Sequence, residues 1–163
     1  MQQLRTKSAG QPSRLYFAYS TILDRAAFDQ WRSEHGYMQF QLPQGQLAEA
    51  RDVALVYDFP SRWWGGRVAG LADEPGKSVH GVLFEIAGAD WPIVQHKEGA
   101  VTGMCIEREV RVGDKVATAF TTSPARARND GPVSDRFVEA LERGAQAAGL
   151  PAAWVQSLRA TAR

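Results

Sequence analysis

The chain has 163 residues, about the length of one domain with a single hydrophobic core. Its 44% hydrophobic and 23% charged residues are typical of a folded globular protein, which excludes a disordered, collagen-like or coiled-coil chain. With 19 basic and 18 acidic side chains the formal net charge is +1, so the composition gives no strong electrostatic field to attract nucleic acid or an anionic membrane.

The first 13 residues are polar, and we expect them to be a flexible leader to one domain that spans the chain. They lack the apolar run of a signal peptide, and no stretch reaches the roughly 18 consecutive apolar residues that a membrane span needs. The single cysteine, Cys105, has no partner for an internal disulfide. We therefore expect a cytoplasmic protein that binds neither nucleic acid nor membrane.

The first predicted elements are a strand and a helix. An aromatic strand covers residues 15–19 and ends at Ser20 and Thr21. Asp24 is a candidate helix cap for residues 25–35, where Ala27, Phe28 and Trp31 recur at helical spacing, and Gly36 is a natural stop.

Strands dominate the middle of the chain. Val53, Leu55, Tyr57 and Phe59 alternate with their neighbours, and further strands are predicted at 67–72 and 79–86. The segment Gly76-Lys77-Ser78 resembles the end of a phosphate-binding loop, but no glycine stands at the position that this motif requires, so it predicts a turn.

A short helix, a hairpin and two helices complete the predicted order. The helix covers Trp91 to Glu98, and Gly99 ends it. A strand with Met104, Ile106, Val110 and Val112 on its buried face returns as a second strand over 115–122. After an exposed loop over 123–132, Ser134 caps a helix that Gly149 ends, and Pro151 opens the last helix. Strands followed by helices favour an α+β domain over a doubly wound parallel sheet.

Several common kinds of site find no support. The three histidines, His35, His80 and His96, lack the spacing of a local metal site. Cys105 could act as a nucleophile with one of them, but it lies in an apolar strand where a plain buried thiol is the more common case.

Glu98 is the one carboxylate whose position is costly. It lies in the last turn of the predicted helix, where the partial negative charge of the helix end disfavours an anion. A general base or acid at neutral pH needs a carboxyl group in such an environment, although solvated glutamates at helix ends are common. Glu98 is therefore the candidate catalytic residue.

Several segments in this order resemble γ-glutamylcyclotransferases. They are LYFAYSTIL at 15–23, WWGG at 63–66, GVLF at 81–84, Glu98-Gly99 followed by Gly103-Met104, and AAGLP ending at Pro151. The resemblance implies an α+β fold, a small mixed β-barrel with flanking helices. It also implies a small-molecule γ-glutamyl substrate and an activity without metal or cofactor.

In that family the glutamate that matches Glu98 is the catalytic base and acid. It takes a proton from the α-amine of the substrate as this nitrogen attacks the γ-carbonyl, and the products are 5-oxoproline and a free amine. The resemblance also implies that the loop Tyr19, Ser20, Thr21, Ile22 and Leu23 supplies backbone N–H groups to the substrate.

The chain differs from the family at four of these positions. The family loop is Tyr-Gly-Ser-Asn-Leu, so Ser20 replaces glycine and Ile22 replaces asparagine, while Cys105 and Phe120 align with tyrosines. These changes predict a more apolar substrate pocket. Two hypotheses follow: a cyclotransferase that uses Glu98 on an altered amide, or a non-catalytic module that binds a small molecule or a protein on the same barrel. Trp63 and Trp64 either form a wall of the pocket or belong to the core.

Overall fold

The computed structural model describes residues 11–163. Its elements in chain order are the strand β1 (Arg14–Ala18), the helix α1 (Arg25–His35), the strands β2 (Gln46–Ser61) and β3 (Gly66–Ile86), the helix α2 (Trp91–Lys97), the strands β4 (Cys105–Val112) and β5 (Lys115–Thr122), and the helices α3 (Asp135–Ala148) and α4 (Ala152–Thr161). Short 3₁₀ turns, Thr21–Leu23 and Gly88–Asp90, precede α1 and α2. Residues 1–10 of the expected leader lie outside the described part of the chain.

The five strands form a closed barrel in the order β1-β3-β2-β4-β5. All neighbours are antiparallel except β1 and β5, which run parallel and pair at Tyr16 and Thr118. This mixed barrel with flanking helices confirms the predicted α+β class.

The barrel is built around one long hairpin. β2 and β3 pair along almost their whole length, with a register shift opposite Asp52, where residues 74–77 bulge out of β3. The Gly76 N–H donates to Asp52 Oδ1 at 3.0 Å in this bulge. The turn predicted at residues 76–78 is therefore a bulge inside one continuous strand, because the pairing resumes at Ser78.

Two apolar clusters fill the molecule. The alternating Val53, Leu55 and Tyr57 point into the barrel, as predicted, and α3 and α4 cover the same cluster through Phe137 and Leu158. A second cluster lies under α1 and α2 and consists mainly of aromatic residues, Tyr16, Phe28, Phe84, Trp91 and Phe120 among them.

The helix ends follow the sequence signals with one exception. The Ser134 hydroxyl accepts the N–H of Phe137 at 3.1 Å and caps α3, and Gly149 ends that helix. Asp24 stands at the N-cap of α1 but makes no capping bond with its side chain. Its Oδ2 instead accepts from Arg143 at 3.0 Å, which ties α1 to α3.

The predicted buried face of β4 is wrong at its beginning. Val110 and Val112 are buried, but Ile106 is 41% exposed, and Met104, equally exposed, precedes the strand. No helix among residues 11–163 has the length and apolar character to cross a membrane.

Candidate active site

A cavity of about 320 Å³ opens at the end of the barrel where β1 and β2 finish and β3 and β4 begin. Its apolar wall comes from strands, helices and the β2–β3 turn: Trp31, Phe59, Trp63, Trp64, Val68, Met104 and Phe137. Its polar and charged lining residues are Ser20, Thr21, Glu34, His35, Ser61, Lys97 and Glu98. The cavity therefore combines an apolar wall with polar groups from four parts of the chain.

The end of α2 holds Glu98 at this cavity. The Glu98 N–H still donates to the Val94 carbonyl at 3.0 Å, and Gly99, at φ +79°, then ends the helix. The Cys105 N–H donates to the Gly99 carbonyl at 3.3 Å, so this turn is attached to the start of β4. The half-buried carboxylate is held in the position predicted from the sequence, at the helix end.

Tyr16, which sequence reasoning missed, is the hydrogen-bond partner of this carboxylate. Its hydroxyl donates to Glu98 Oε1 at 2.6 Å. Burial, and then the charge of Glu98, raise the pKa of Tyr16 well above its usual value, so the hydroxyl stays protonated at neutral pH. A strong hydrogen bond to the anion offsets part of the cost of a carboxylate at a helix end.

The loop after β1 brings Ser20 and Thr21 to the cavity. In its 3₁₀ turn the N–H groups of Leu23 and Asp24 donate to the carbonyls of Ser20 and Thr21. No acceptor among the described residues is bonded to the N–H of Thr21 or Ile22. Thr21 lines the cavity, so its N–H is consistent with the expected backbone contact to a substrate, whereas Ile22 does not line it.

Four of the predicted site residues, Tyr19, Ile22, Leu23 and Phe120, do not line this cavity. Ile22 and Phe120 are both 2% exposed and pack in the aromatic cluster under α1 and α2. Leu23 packs beside them and, with Ile22, borders a separate depression. Apolar side chains at these positions pack in the core, and the contact of these residues with a substrate stays a prediction.

Tyr19 lies beneath the cavity rather than on its surface. Its hydroxyl donates to the Phe120 carbonyl at 2.5 Å, and burial raises its pKa well above the usual value. Tyr19 therefore supports the loop as a neutral, buried residue.

Cys105 lines the cavity next to Gly99. Burial, followed by the charge of Glu98, raises the pKa of the thiol to about 12. The thiol is protonated at neutral pH, and since thiolate is the reactive form, its environment does not favour nucleophilic catalysis.

The paired tryptophans belong to both the core and the cavity. Trp64 packs edge-on against Phe137 with ring centroids 5.2 Å apart, while Trp63 is 53% exposed. The Arg136 guanidinium lies over both rings, at 5.4 and 5.5 Å from their centroids. Both residues line the cavity, so the two interpretations of this pair are each correct in part.

Within residues 11–163, no group of three or more His, Cys, Asp or Glu side chains is arranged to hold a metal ion. What the cavity offers is a carboxylate with a buried hydroxyl partner, a free backbone donor and an apolar wall. Such an arrangement can accept and return a proton, and it can orient a small molecule.

The fold and the cavity together define a class: five-stranded barrel proteins with an acidic group at the end of the barrel. The AIG2-like family model matches residues 78–158, about half of the chain. Bovine γ-glutamylcyclotransferase is 24% identical over 164 residues, which cover 93% of this chain and 80% of the relative. Human γ-glutamylcyclotransferase is 26% identical over 102 residues, which cover 61% and 54% of the two chains.

A solved structure of a γ-glutamyl cyclotransferase has the same fold. It superposes with a TM-score of 0.69 at 22% identity over 91% of this chain and 87% of that chain. The chain is a divergent member of the γ-glutamylcyclotransferase-like family, as its sequence motifs indicated.

Proposed function

We propose that this protein is a γ-glutamylcyclotransferase-like enzyme that converts a small-molecule γ-glutamyl amide to 5-oxoproline and a free amine. The observation that carries the proposal is the Glu98 carboxylate, which lines the cavity and accepts a 2.6 Å hydrogen bond from buried Tyr16. The names of the relatives support the same reaction class.

In the proposed reaction Glu98 takes a proton from the substrate α-amine. The amine nitrogen attacks the γ-carbonyl carbon and forms the five-membered lactam ring, and Glu98 returns the proton to the departing nitrogen as the amide bond breaks. The nucleophile belongs to the substrate, so the protein has to hold the substrate folded and move one proton. The Thr21 N–H, at the cavity, is suited to the negative charge that develops on the carbonyl oxygen.

The cavity wall favours an amine with an apolar group. In ring closure the departing amine is attached to the γ-carbonyl carbon and extends away from the lactam ring that forms. Beyond the polar groups, the wall consists of aromatic and aliphatic side chains such as Trp31 and Trp63. Apolar amines therefore belong in any substrate panel beside amino acids.

The test is mass-spectrometric detection of 5-oxoproline and free amine from γ-glutamyl amines and γ-glutamyl amino acids. Glu98→Gln keeps the shape of the side chain and removes the base, so we expect turnover to fall by about 10²- to 10⁴-fold. Glu109→Gln, at an exposed position on β4, is the matched control and should behave as wild type.

The same experiment separates the enzyme from the non-catalytic module. Release by wild type above the protein-free blank, lost in Glu98→Gln, supports the enzyme. Absence of release from every compound, with a folded protein by circular dichroism, contradicts it and favours the binding module.

A further inference from the structure

Lys97 is the last residue of α2 and lines the same cavity as Glu98. Its side chain is half-buried, and its Nζ lies 6.0 Å from the centroid of the Trp31 ring. The ammonium group is thus at an aromatic wall and next in sequence to the proposed catalytic carboxylate.

Among residues 11–163, this ammonium group forms no close ion pair with a carboxylate. Across residues 11–163, no carboxylate oxygen lies within 4.0 Å of a Lys97 nitrogen, and residues 1–10 contain no acidic side chain. Burial lowers the pKa of Lys97, while the charge of Glu98 opposes that shift. The carboxylates of Glu34 and Glu98 line the same cavity, but neither lies within 4.0 Å of the Lys97 ammonium group. An anionic ligand can therefore supply the close ion pair that these side chains do not make, and it offsets part of the cost of burying the cation.

Of the other basic residues, His35 lines the cavity at an exposed position, whereas Arg136 is not among the lining residues. Arg136 is exposed and stacks on Trp63 and Trp64 at the rim. Lys97 adjoins Glu98 along the chain, so it is the cation nearer in sequence to the group that must contact the substrate amine.

We propose that Lys97 Nζ binds the α-carboxylate of the γ-glutamyl substrate, and this inference rests on the function proposed above. The α-carboxylate and the α-amine are attached to the same carbon atom. When the amine of a substrate contacts Glu98, the carboxylate of that substrate is therefore only one carbon atom away from the amine nitrogen. Ile22 offers no polar side chain to this carboxylate, since it lies in the core.

The test compares two chromogenic substrates that differ only in this carboxylate: γ-glutamyl-p-nitroanilide and 4-aminobutyryl-p-nitroanilide. Each cyclises by forming the bond from amine nitrogen to carbonyl carbon and releasing p-nitroaniline, and the second gives 2-pyrrolidinone. Lys97→Met should lower kcat/KM for the glutamyl compound by about 10- to 100-fold, mainly through KM, because a hydrogen bond between charged groups is lost. For the aminobutyryl compound the change should stay below about twofold.

Two variants serve as controls. Lys97→Arg keeps the positive charge and should retain most of the kcat/KM of wild type. Lys77→Met removes an exposed lysine in the bulge of β3 and should leave both substrates unaffected.

If Lys97→Met lowers kcat/KM equally for both substrates, the inference is overturned, because Lys97 would then act on Glu98 or on the fold. γ-Glutamyl-alanine serves as a third substrate, because its departing group carries a carboxylate of its own. If Lys97→Met lowers kcat/KM more for this compound than for γ-glutamyl-p-nitroanilide, the inference is also overturned, since Lys97 would then bind the carboxylate of the departing amino acid.

A binding measurement separates this inference from the proposed reaction. By calorimetry, wild type should bind 5-oxo-L-proline at least tenfold more tightly than 2-pyrrolidinone, and Lys97→Met should lose that difference. Retention of the difference in Lys97→Met contradicts the inference. A Lys97-dependent difference supports the carboxylate site whether or not the protein has turnover. If that difference is found and no compound of the γ-glutamyl panel releases 5-oxoproline, the carboxylate site stands and the cyclotransferase is refuted.

Discussion

Helix α3 has a glycine at the point where it touches the loop that borders the cavity, and an alanine there should destabilise the protein. A Cβ at Gly144 would lie 2.7 Å from the backbone nitrogen of Asp24 and 2.8 Å from the carbonyl carbon of Leu23. Both are backbone atoms, so a rotamer change cannot relieve the contact. The Gly144→Ala variant must push the helix and the loop apart by several tenths of an ångström.

Two opposing effects set the magnitude. Inside a helix, alanine is favoured over glycine by about 1 kcal/mol, whereas overpacking a close contact costs about 1–3 kcal/mol. Because both close contacts are with backbone atoms, the packing cost lies at the upper end of this range, about 2–3 kcal/mol. The free energy of unfolding should therefore fall by about 1–2 kcal/mol, which lowers the Tm by about 2–8 °C in a chain of this size. Ser20 and Thr21 should shift with the loop, so kcat/KM should also fall.

Urea and thermal unfolding followed by circular dichroism measure this effect. Gln146→Ala, at an exposed position two residues later in α3, is the control and should change stability by less than about 0.5 kcal/mol. A Gly144→Ala protein as stable as wild type, or more stable, would refute the argument that α3 fixes the loop by close packing.

Tyr16→Phe removes the hydrogen-bond donor to Glu98 and keeps the aromatic packing, so we expect kcat to fall by about tenfold with little change in KM. Steady-state kinetics measure both constants. An unchanged kcat would show that the 2.6 Å hydrogen bond plays no part in turnover. Because the pKa of Cys105 is raised to about 12, the thiolate fraction at pH 8 is small and rises as the pH increases. Iodoacetamide should therefore label the folded protein much more slowly than the urea-unfolded one at pH 8, as intact-mass spectrometry can follow; equal rates would contradict the buried thiol.

Local signals in the sequence predicted most of the elements. The alternation of Val53, Leu55 and Tyr57 reflects a strand with one buried face, and the stop at Gly149 and the cap at Ser134 reflect backbone geometry that a few neighbouring residues determine. The bulge at Gly76 shows the limit of such signals. A turn residue such as Gly76 predicts that the strand ends there. β3 nevertheless continues, because it pairs with β2 both before and after the bulge.

The site was predicted less completely because its geometry is non-local. Glu98 could be identified from the sequence, because the unfavourable position of its carboxylate is a property of the helix in which it lies. Tyr16 is 82 positions away and reads as one of several aromatic residues in a buried strand. Ile22 and Phe120 were expected at the substrate from the resemblance, but their apolar side chains are more stable in the core.

The parallel pairing of β1 with β5 has a consequence for the order of folding. The hairpins β2–β3 and β4–β5 join strands that are neighbours in sequence, whereas the β1–β5 seam pairs residue 16 with residue 118. Contacts between residues so far apart in sequence form more slowly. Tyr16 lies in the seam and also holds Glu98. Tyr16 also pairs with Phe84 of β3, so docking of β1 on its neighbouring strands and completion of the acid-base pair are coupled. A chain in which β1 has not docked presents a carboxylate without its hydroxyl partner.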